Sequence, residues 1–153
     1  MMKKAIAIIF AAMTLISCGK EESYKVGLPA LRGAELYIYG GKNSDIYIGK
    51  LDASKFDTES IWNQFGTYGS KFNSKSLWNS FSDYGNDMSS YSPFNKYASW
   101  PPALYDKWGN FKGYFTCDKS HADRANSKVA DVVCDHYKEI REDVSGWYDK
   151  IFN

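Results

Sequence analysis

The sequence predicts an α+β fold: a small antiparallel sheet from two β-hairpins, three short aromatic helical-turn repeats and one C-terminal amphipathic helix. Two pairs of segments rich in Ile, Leu and Tyr, each pair separated by turn-forming residues, predict the hairpins. A sixteen-residue repeat across residues 56–101 predicts the middle of the fold, and a helical period of apolar residues after Ser127 predicts the helix. Residues 34–153 are long enough to form a single globular domain around one core.

The two predicted hairpins flank the repeats. Their strand segments are residues 34–39 and 46–51 in the first hairpin, and residues 103–105 and 111–117 in the second. The loops between them read Gly-Gly-Lys-Asn-Ser-Asp and Asp-Lys-Trp-Gly-Asn, and both are rich in turn formers. Residues 49–52 also align with residues 113–116. We therefore expect two similar hairpins that pair into one sheet and bring the ends of the repeat region together.

The repeat region places the same residue types at fixed offsets. The aligned sets are Ser60, Ser76 and Ser92; Trp62, Trp78 and Phe94; Asn63, Asn79 and Asn95; and Phe65, Phe81 and Tyr97. In the first repeat Ser60 can accept from an amide of a first helical turn and Gly66 can end the helix, which predicts one or two helical turns within a repeat. Rings three positions apart, such as Trp62 and Phe65, then share one face. Helices this short persist only when packed, which favours a core over a ligand platform.

The candidate ligand-binding residues nevertheless come from this repeat: Trp62, Asn63, Trp78, Asn79 and Asn95. The indoles could stack on sugar faces while the amides hydrogen-bond a repeating glycan. The asparagines could equally bridge backbone groups between neighbouring repeats, and this structural use is the favoured one.

Residues 127–151 predict a single amphipathic helix. Its apolar stripe consists of Val129, Val132, Val133, Tyr137, Ile140, Val144, Trp147 and Ile151. Gly146 is the position where we expect the helix to fray or bend, because glycine weakens a helix interior. Cys134 lies at the border of the stripe.

The N-terminus predicts export. Lys3 and Lys4 precede an apolar run over residues 5–16, a pattern typical of a secretory signal peptide. The run is too short to span a bilayer as a helix. We therefore assign residues 1–17 to the signal peptide and residues 18–33 to a tether.

The tetrad Leu15-Ile16-Ser17-Cys18 ends this segment and resembles the lipobox of bacterial lipoproteins. The resemblance implies cleavage before Cys18, lipidation of Cys18 and attachment to the membrane through that lipid. Gly19 in place of Asp implies, by the same resemblance, the outer membrane, facing the periplasm or the cell surface.

The repeats carry a second resemblance. Residues 60–70 read Ser-Ile-Trp-Asn-Gln-Phe-Gly-Thr-Tyr-Gly-Ser, residues 92–99 read Ser-Pro-Phe-Asn-Lys-Tyr-Ala-Ser, and two prolines follow at 101–102. With these motifs, residues 46–117 resemble a group of small uncharacterised bacterial secreted proteins and lipoproteins. The resemblance implies no activity, and the C-terminal helix lies outside it.

Charge and cysteine content exclude some classes of function. Removal of residues 1–17 takes away two lysines, so 17 of the 19 basic side chains remain against 18 acidic ones, and nucleic-acid binding is not expected. Once Cys18 carries lipid, Cys117 and Cys134 remain as a pair in an oxidising compartment, where a disulfide is the default. A catalytic or metal-binding cysteine is the alternative, but no CxxC or His-rich spacing accompanies either residue.

Few residues could carry catalysis. His121, with Asp123 or Asp118 as an orienting partner, is a weak candidate for a general base, and no nucleophile motif accompanies it. The only other histidine, His136, is placed on the predicted helix, so we expect neither a metal site nor a cofactor.

These observations favour a non-enzymatic envelope lipoprotein that acts as a binding or scaffolding module for a glycan or an envelope protein. The alternative is a cell-envelope hydrolase that uses His121 with a nearby carboxylate.

Overall fold

The computed structural model describes residues 35–153. The predicted signal peptide (residues 1–17), the predicted lipidation site Cys18 and the predicted tether (residues 18–33) lie outside the described residues. The described part of the chain has the predicted α+β architecture, with a four-stranded antiparallel sheet and helices at its C-terminal end.

The sheet consists of two hairpins that pair through their first strands. The strands are β1 (Tyr37–Gly40), β2 (Ile46–Lys50), β3 (Ala103–Tyr105) and β4 (Phe111–Tyr114), in the order β2-β1-β3-β4. Ile38 on β1 faces Leu104 on β3 in the central pair, and both side chains are fully buried. The two ends of the repeat region therefore start and finish at one sheet, as predicted.

The two hairpins are structurally equivalent beyond their strands. The amide of Lys50 donates to the carbonyl of Glu59 at 2.8 Å, and the amide of Tyr114 donates to the carbonyl of Asp123 at the same distance. Gly49 and Gly113, one residue earlier, have φ angles of 110° and 108°. The alignment of residues 49–52 with residues 113–116 thus corresponds to a shared backbone path.

Where we expected helical turns, the chain between the hairpins folds into consecutive β-turns. Carbonyls of residues 54, 57, 60 and 63 each accept from the amide three positions later, and the carbonyl of residue 66 accepts from the amide of residue 70. The same pattern starts again at residue 70 and at residue 86. Four three-residue steps and one four-residue step account for the sixteen-residue period. We call each such unit a coil; the first, second and third coils begin at residues 54, 70 and 86.

A side-chain oxygen at each turn corner holds the next turn in place. Ser60 and Asn63 accept from the amides of Trp62 and Phe65 at 3.0 and 3.1 Å, two residues after each corner. The same bond forms at the corresponding corners of the next two coils: Ser76, Asn79, Ser92 and Asn95. Short polar side chains that bond the backbone two residues ahead are the turn chemistry of Ser and Asn. This chemistry explains a coil that contains neither helix nor strand.

One ring from each coil forms the centre of the core. Trp62, Trp78 and Phe94 are 0%, 1% and 7% exposed, with ring centroids 5.6 and 6.4 Å apart in succession. The indole nitrogen of Trp62 donates to the carbonyl of Leu51 at 2.7 Å, so its polar atom is satisfied inside the core. Phe152 from the C-terminal end packs on Trp62 at 5.8 Å.

The predicted single helix is divided into α1 (Lys128–Glu142) and α2 (Val144–Phe152). The break falls at Asp143, whose φ and ψ of −148° and 75° are not helical, and whose carboxylate accepts from the amide of Gly146 at 2.9 Å. Asp143 therefore acts as the N-cap of α2. Gly146 does not bend the helix; it leaves room for the capping carboxylate, which would lie 2.1 Å from an added Cβ.

The predicted disulfide is present between Cys117 and Cys134. It joins the segment after β4 to α1, and the amide of Cys117 also donates to the carbonyl of Pro93 in the last coil at 2.8 Å. A cross-link closing a loop of this length stabilises a domain by about 3 kcal/mol.

Gly85→Ala tests the coil directly. A Cβ at Gly85 would lie 1.9 Å from the carbonyl oxygen of Asn79, so the backbone must move, and we expect the free energy of unfolding to fall by about 2 kcal/mol or more. Gly66→Ala is the matched control, because its Cβ would lie no closer than 3.2 Å to any atom. Urea titrations followed by Trp fluorescence measure both. Equal losses in the two variants would show that the close approach at Gly85 is not a constraint.

Asp52→Asn tests a buried carboxyl group. Asp52 is 8% exposed, and burial raises its pKa although its carboxylate accepts from the amide of Leu36 at 2.9 Å. A raised folded-state pKa stabilises the protein below the unfolded pKa of about 4, and that stabilisation is lost as the pH rises through the folded value. Asn keeps the acceptor without the charge. The variant should therefore gain stability over the wild type as the pH rises from 3 to 7 in urea titrations, and a pH-independent difference would contradict this.

Candidate functional site

The most unusual surface of the molecule is a set of apolar side chains that every coil holds in solvent. We call it the apolar ladder, and its members are Phe56, Phe65, Phe72, Phe81, Met88 and Tyr97. Their side chains are between 80% and 95% exposed. Single exposed apolar residues are ordinary on proteins, but a repeated set of large ones marks an interaction surface.

The β-turns determine which rings face outward. In the first coil, Phe56, Trp62 and Phe65 each occupy the third position of a turn, with the amide fixed by the corner side chain two residues earlier. Trp62 points into the core, whereas Phe56 and Phe65 are 83% and 91% exposed. The expectation that Trp62 and Phe65 share one face is therefore wrong, because it assumed a helix.

Two depressions lie between neighbouring ladder members of the first and second coils. One, of about 390 Å³, lies between Phe65 and Phe72, and the other, of about 340 Å³, lies between Phe72 and Phe81. Arg141 and Glu142 at the end of α1 line both depressions. Phe72 thus has a depression on either side, and Phe65, Phe72 and Phe81 form one connected part of the ladder.

Arg141 is fixed beside the ladder. Its guanidinium lies over the rings of Phe94 and Tyr137, at 5.3 and 5.0 Å, and donates to the carbonyl of Gly85. Burial lowers its pKa from the ordinary value for arginine. No carboxylate of residues 35–153 forms an ion pair with it. Arg141 therefore anchors α1 to the coils through rings and backbone rather than through an opposite charge.

The charges around the ladder balance. Lys71 and Lys96 place their ammonium groups over the ladder rings that follow them, at 5.8 and 5.0 Å. Residues 54–99 contain four lysines and four acidic residues and no arginine, so the segment has no net charge. The ladder is an apolar surface with an evenly charged border, and it does not select a strongly charged partner.

The asparagine side chains of the coils form hydrogen bonds to the backbone of the coils. Asn63, for example, accepts from the amide of Phe65 and donates to the carbonyl of Asp57 at 3.2 Å. Asn79 and Asn95 make the corresponding pairs of bonds. The side chains that were candidates for glycan recognition therefore bridge backbone groups. The candidates Trp62 and Trp78 are buried in the core, and Trp78 reaches the surface only at the wall of the depression between Phe72 and Phe81.

A second surface lies on the outer face of the sheet. A cleft of about 380 Å³ has Tyr37, Tyr39 and Tyr105 along it, and residues of the two hairpin loops close it: Ser44, Asp106, Lys107 and Gly109. The rings of Tyr39 and Tyr105 meet edge to face at 5.5 Å. We call this feature the tyrosine cleft.

Asp106 fixes the second loop of the tyrosine cleft. Partial burial raises its pKa, but hydrogen bonds from Asn110 and the amide of Trp108 outweigh this and lower the pKa to about 2. Lys112 also approaches its carboxylate at 3.4 Å. Asp106 is therefore ionised and internally bonded at neutral pH, whereas Lys107 forms no ion pair with any residue between 35 and 153.

In the structure the catalytic candidates His121 and Asp118 hydrogen-bond to residues two positions further along the chain. His121 Nδ1 accepts from the amide of Asp123 at 3.2 Å, as the corner of a turn after the second hairpin that corresponds to the turn at Asp57 after the first hairpin. Asp118 is bonded to Ser120, and these bonds lower its pKa. No hydrogen bond or ion pair joins His121 to a side-chain carboxylate among the described residues.

Residues 35–153 hold no group of three or more His, Cys, Asp or Glu side chains that could bind a metal ion. Within the same residues, neither helix has the length and apolar character needed to cross a bilayer. No protein-family model matches the chain, and no curated protein or solved structure does so.

Proposed function

We propose that this protein is a non-enzymatic, lipid-anchored module of the bacterial cell envelope, most consistent with the outer membrane, that binds or scaffolds other molecules. The lipobox at Leu15-Ile16-Ser17-Cys18 supports the anchor. The apolar ladder supports binding, and it is the observation that carries the proposal: six large apolar side chains remain at least 80% exposed.

The ladder suits an apolar protein surface better than a glycan. Sugar recognition needs hydrogen-bond partners for the hydroxyls as well as a ring to stack on, and the amides beside the ladder rings are already bonded to turn corners. Interfaces between proteins are rich in Phe, Tyr and Met at their centres, with charged residues at the border. The ladder and its balanced lysines and acids have this composition.

The coil itself does not require the apolar residues. Lys75 occupies the same third turn position as Phe72 and Phe81, and its amide is bonded to Asn73 in the same way, at 2.9 Å. Glu59 does so in the first coil. Polar substitution in the ladder is therefore compatible with the fold, and the surface can be tested without unfolding the protein.

The first test is affinity capture from detergent-solubilised envelope with wild-type chain and with the double variant Phe65→Gln, Phe81→Gln. We expect the wild type to retain one protein in stoichiometric amount and the variant to lose at least about nine-tenths of it, because hot-spot residues cost 2 kcal/mol or more. Lys75→Gln is the matched control, in the same turn position outside the ladder, and should capture as the wild type does. A capture that retains no protein, an untagged copy of this chain included, or equal capture by all three proteins, would refute the proposal.

A second candidate function, glycan binding, is favoured by the tyrosine cleft. Its size is that of a small-molecule site, and it combines aromatic rings with polar groups from two loops, as such sites do. Lys107 and the hydroxyls of Tyr39 and Tyr105 form no hydrogen bond within the described part of the chain, so they are available to sugar hydroxyls.

Trp108 provides a reporter for that candidate, because it lies next to Lys107 and is 75% exposed. Titration with chito-oligosaccharides and with soluble envelope polysaccharide should change the Trp fluorescence at saturable concentrations. The double variant Tyr105→Phe, Lys107→Gln should weaken binding by about threefold to a hundredfold, the range of one or two lost hydrogen bonds. Tyr97→Phe, on the ladder, is the control. Unchanged fluorescence across both probes would remove glycan binding as a function of this cleft.

The hydrolase alternative has less support. Its base, His121, uses one ring nitrogen to hold the turn at Asp123, and no bond to a carboxylate orients the ring. A general base normally needs both a free nitrogen facing the substrate and an orienting partner.

A further inference from the structure

We infer that the partner of the apolar ladder is a second copy of this chain, and that two ladders pack against each other about a two-fold axis. The inference rests on the proposed function, since it takes the ladder as the binding surface and names what covers it. Its basis is the area, the periodicity and the charge of the ladder.

The area of the ladder matches what a stable dimer needs. Its six side chains, at least 80% exposed and roughly 150–250 Å² each, offer on the order of 1,000 Å² of surface. A standard interface buries about 800 Å² on each partner. The largest apolar patch on an ordinary monomer is about 300–600 Å². The combined area of the six side chains is thus large enough for one specific interface.

The periodicity makes the ladder complementary to itself. Protruding rings alternate with depressions, because Phe72 stands between the depressions of about 390 and 340 Å³ that it shares with Phe65 and Phe81. A second copy presents the same ring between the same two depressions, so each copy offers both the protruding side chain and the depressions that could receive it. In a two-fold interface each contact occurs twice, so a ring of one copy enters a depression of the other and the reverse contact follows.

The charge of the ladder permits this pairing. Residues 54–99 have four positive and four negative side chains, so two such surfaces do not repel each other as like-charged surfaces would. Arg141 and Glu142, which line both depressions, bring opposite charges to the edge of the interface. A bilayer rich in anionic lipid would instead favour a surface with a net positive charge.

Phe72 is the residue on which the test depends. It lies between Phe65 and Phe81 in the middle of the three coils, so in a two-fold interface the two copies of Phe72 lie close to the axis and to each other. It is 85% exposed, and a polar residue is tolerated at its turn position, so its substitution does not disturb the core.

The experiment is sedimentation velocity of the chain from residue 18 to residue 153, with Cys18→Ser so that no lipid contributes. We expect the wild type to sediment with the mass of two chains at micromolar concentrations. Phe72→Asp and Phe72→Lys should each raise the dissociation constant at least about tenfold, because like charges then face each other across the axis. An equimolar mixture of the two variants should recover the two-chain mass. Lys75→Asp, one turn further on, is the matched control and should remain dimeric.

The outcomes separate this inference from the proposed function. A wild type that is monomeric at all concentrations, a dimer that Phe72→Asp leaves intact, or a mixture that stays monomeric would each overturn the two-fold pairing of ladders. Ladder-dependent capture of a different envelope protein by a monomeric chain would overturn the inference and sustain the proposed function. A monomer that co-sediments with lipid vesicles only when the ladder is intact would show that the surface faces a membrane instead.

Discussion

The hydrogen bond from a corner Ser or Asn oxygen to the amide two residues ahead is the interaction on which the rest of the structure depends. Residues 54–98 have no helix and no strand, so their backbone groups lack the regular partners that secondary structure provides. The corner bonds at Ser60, Asn63, Ser76 and Asn79 supply part of what is missing, at 3.0 to 3.1 Å. The bond is the same for the buried Trp62 and Trp78 and for the exposed Phe65 and Phe81, so the location of the turn in the coil, and not the bond, decides which ring is buried.

The coils pack against the two helices, which cover one side of their core rings. The core rings that the coils contribute would be uncovered on one side without α1 and α2. Tyr137 of α1 stacks on Phe94 at 4.2 Å, and Phe152 of α2 packs on Trp62 at 5.8 Å. The Arg141 bond to the carbonyl of Gly85 attaches α1 to the coils, and the disulfide attaches α1 to the segment after β4. The repeats are therefore stable only as part of the whole domain, as is expected of units that cannot bury their rings alone.

The two hairpins and their pairing could be predicted from the sequence because turn-forming residues separate the strand segments. The disulfide could be predicted because Cys117 and Cys134 are the two cysteines that remain once Cys18 is set aside as the predicted lipidation site. The form of the repeats could not be predicted from the same kind of signal, since a Ser that accepts a nearby amide is common to helix caps and to turns. A usable signal was present: Ser70, Asn73, Ser76 and Asn79 recur every three residues, and such residues disfavour helix interiors. The division of the helix at Asp143 was missed because Gly146 is the more obvious breaker in a sequence, while a cap depends on the conformation of its neighbours.

The ladder is compatible with both the proposed lipid anchor and the proposed scaffolding role. Sixteen residues, the length of the predicted tether, span at most roughly 55 Å when extended, more than the width of a domain of this size, so any face of an anchored domain could meet a neighbour on the same membrane. Anchoring confines the molecules to a surface and raises their effective concentration, which lets an interface of modest affinity act. Two apolar ladders with balanced charge would therefore pair more readily once the molecules are confined to one surface. Because an uncovered apolar surface of this kind is an aggregation hazard, pairing of the ladders would protect the domain as well as join it to a neighbour under the proposed anchor.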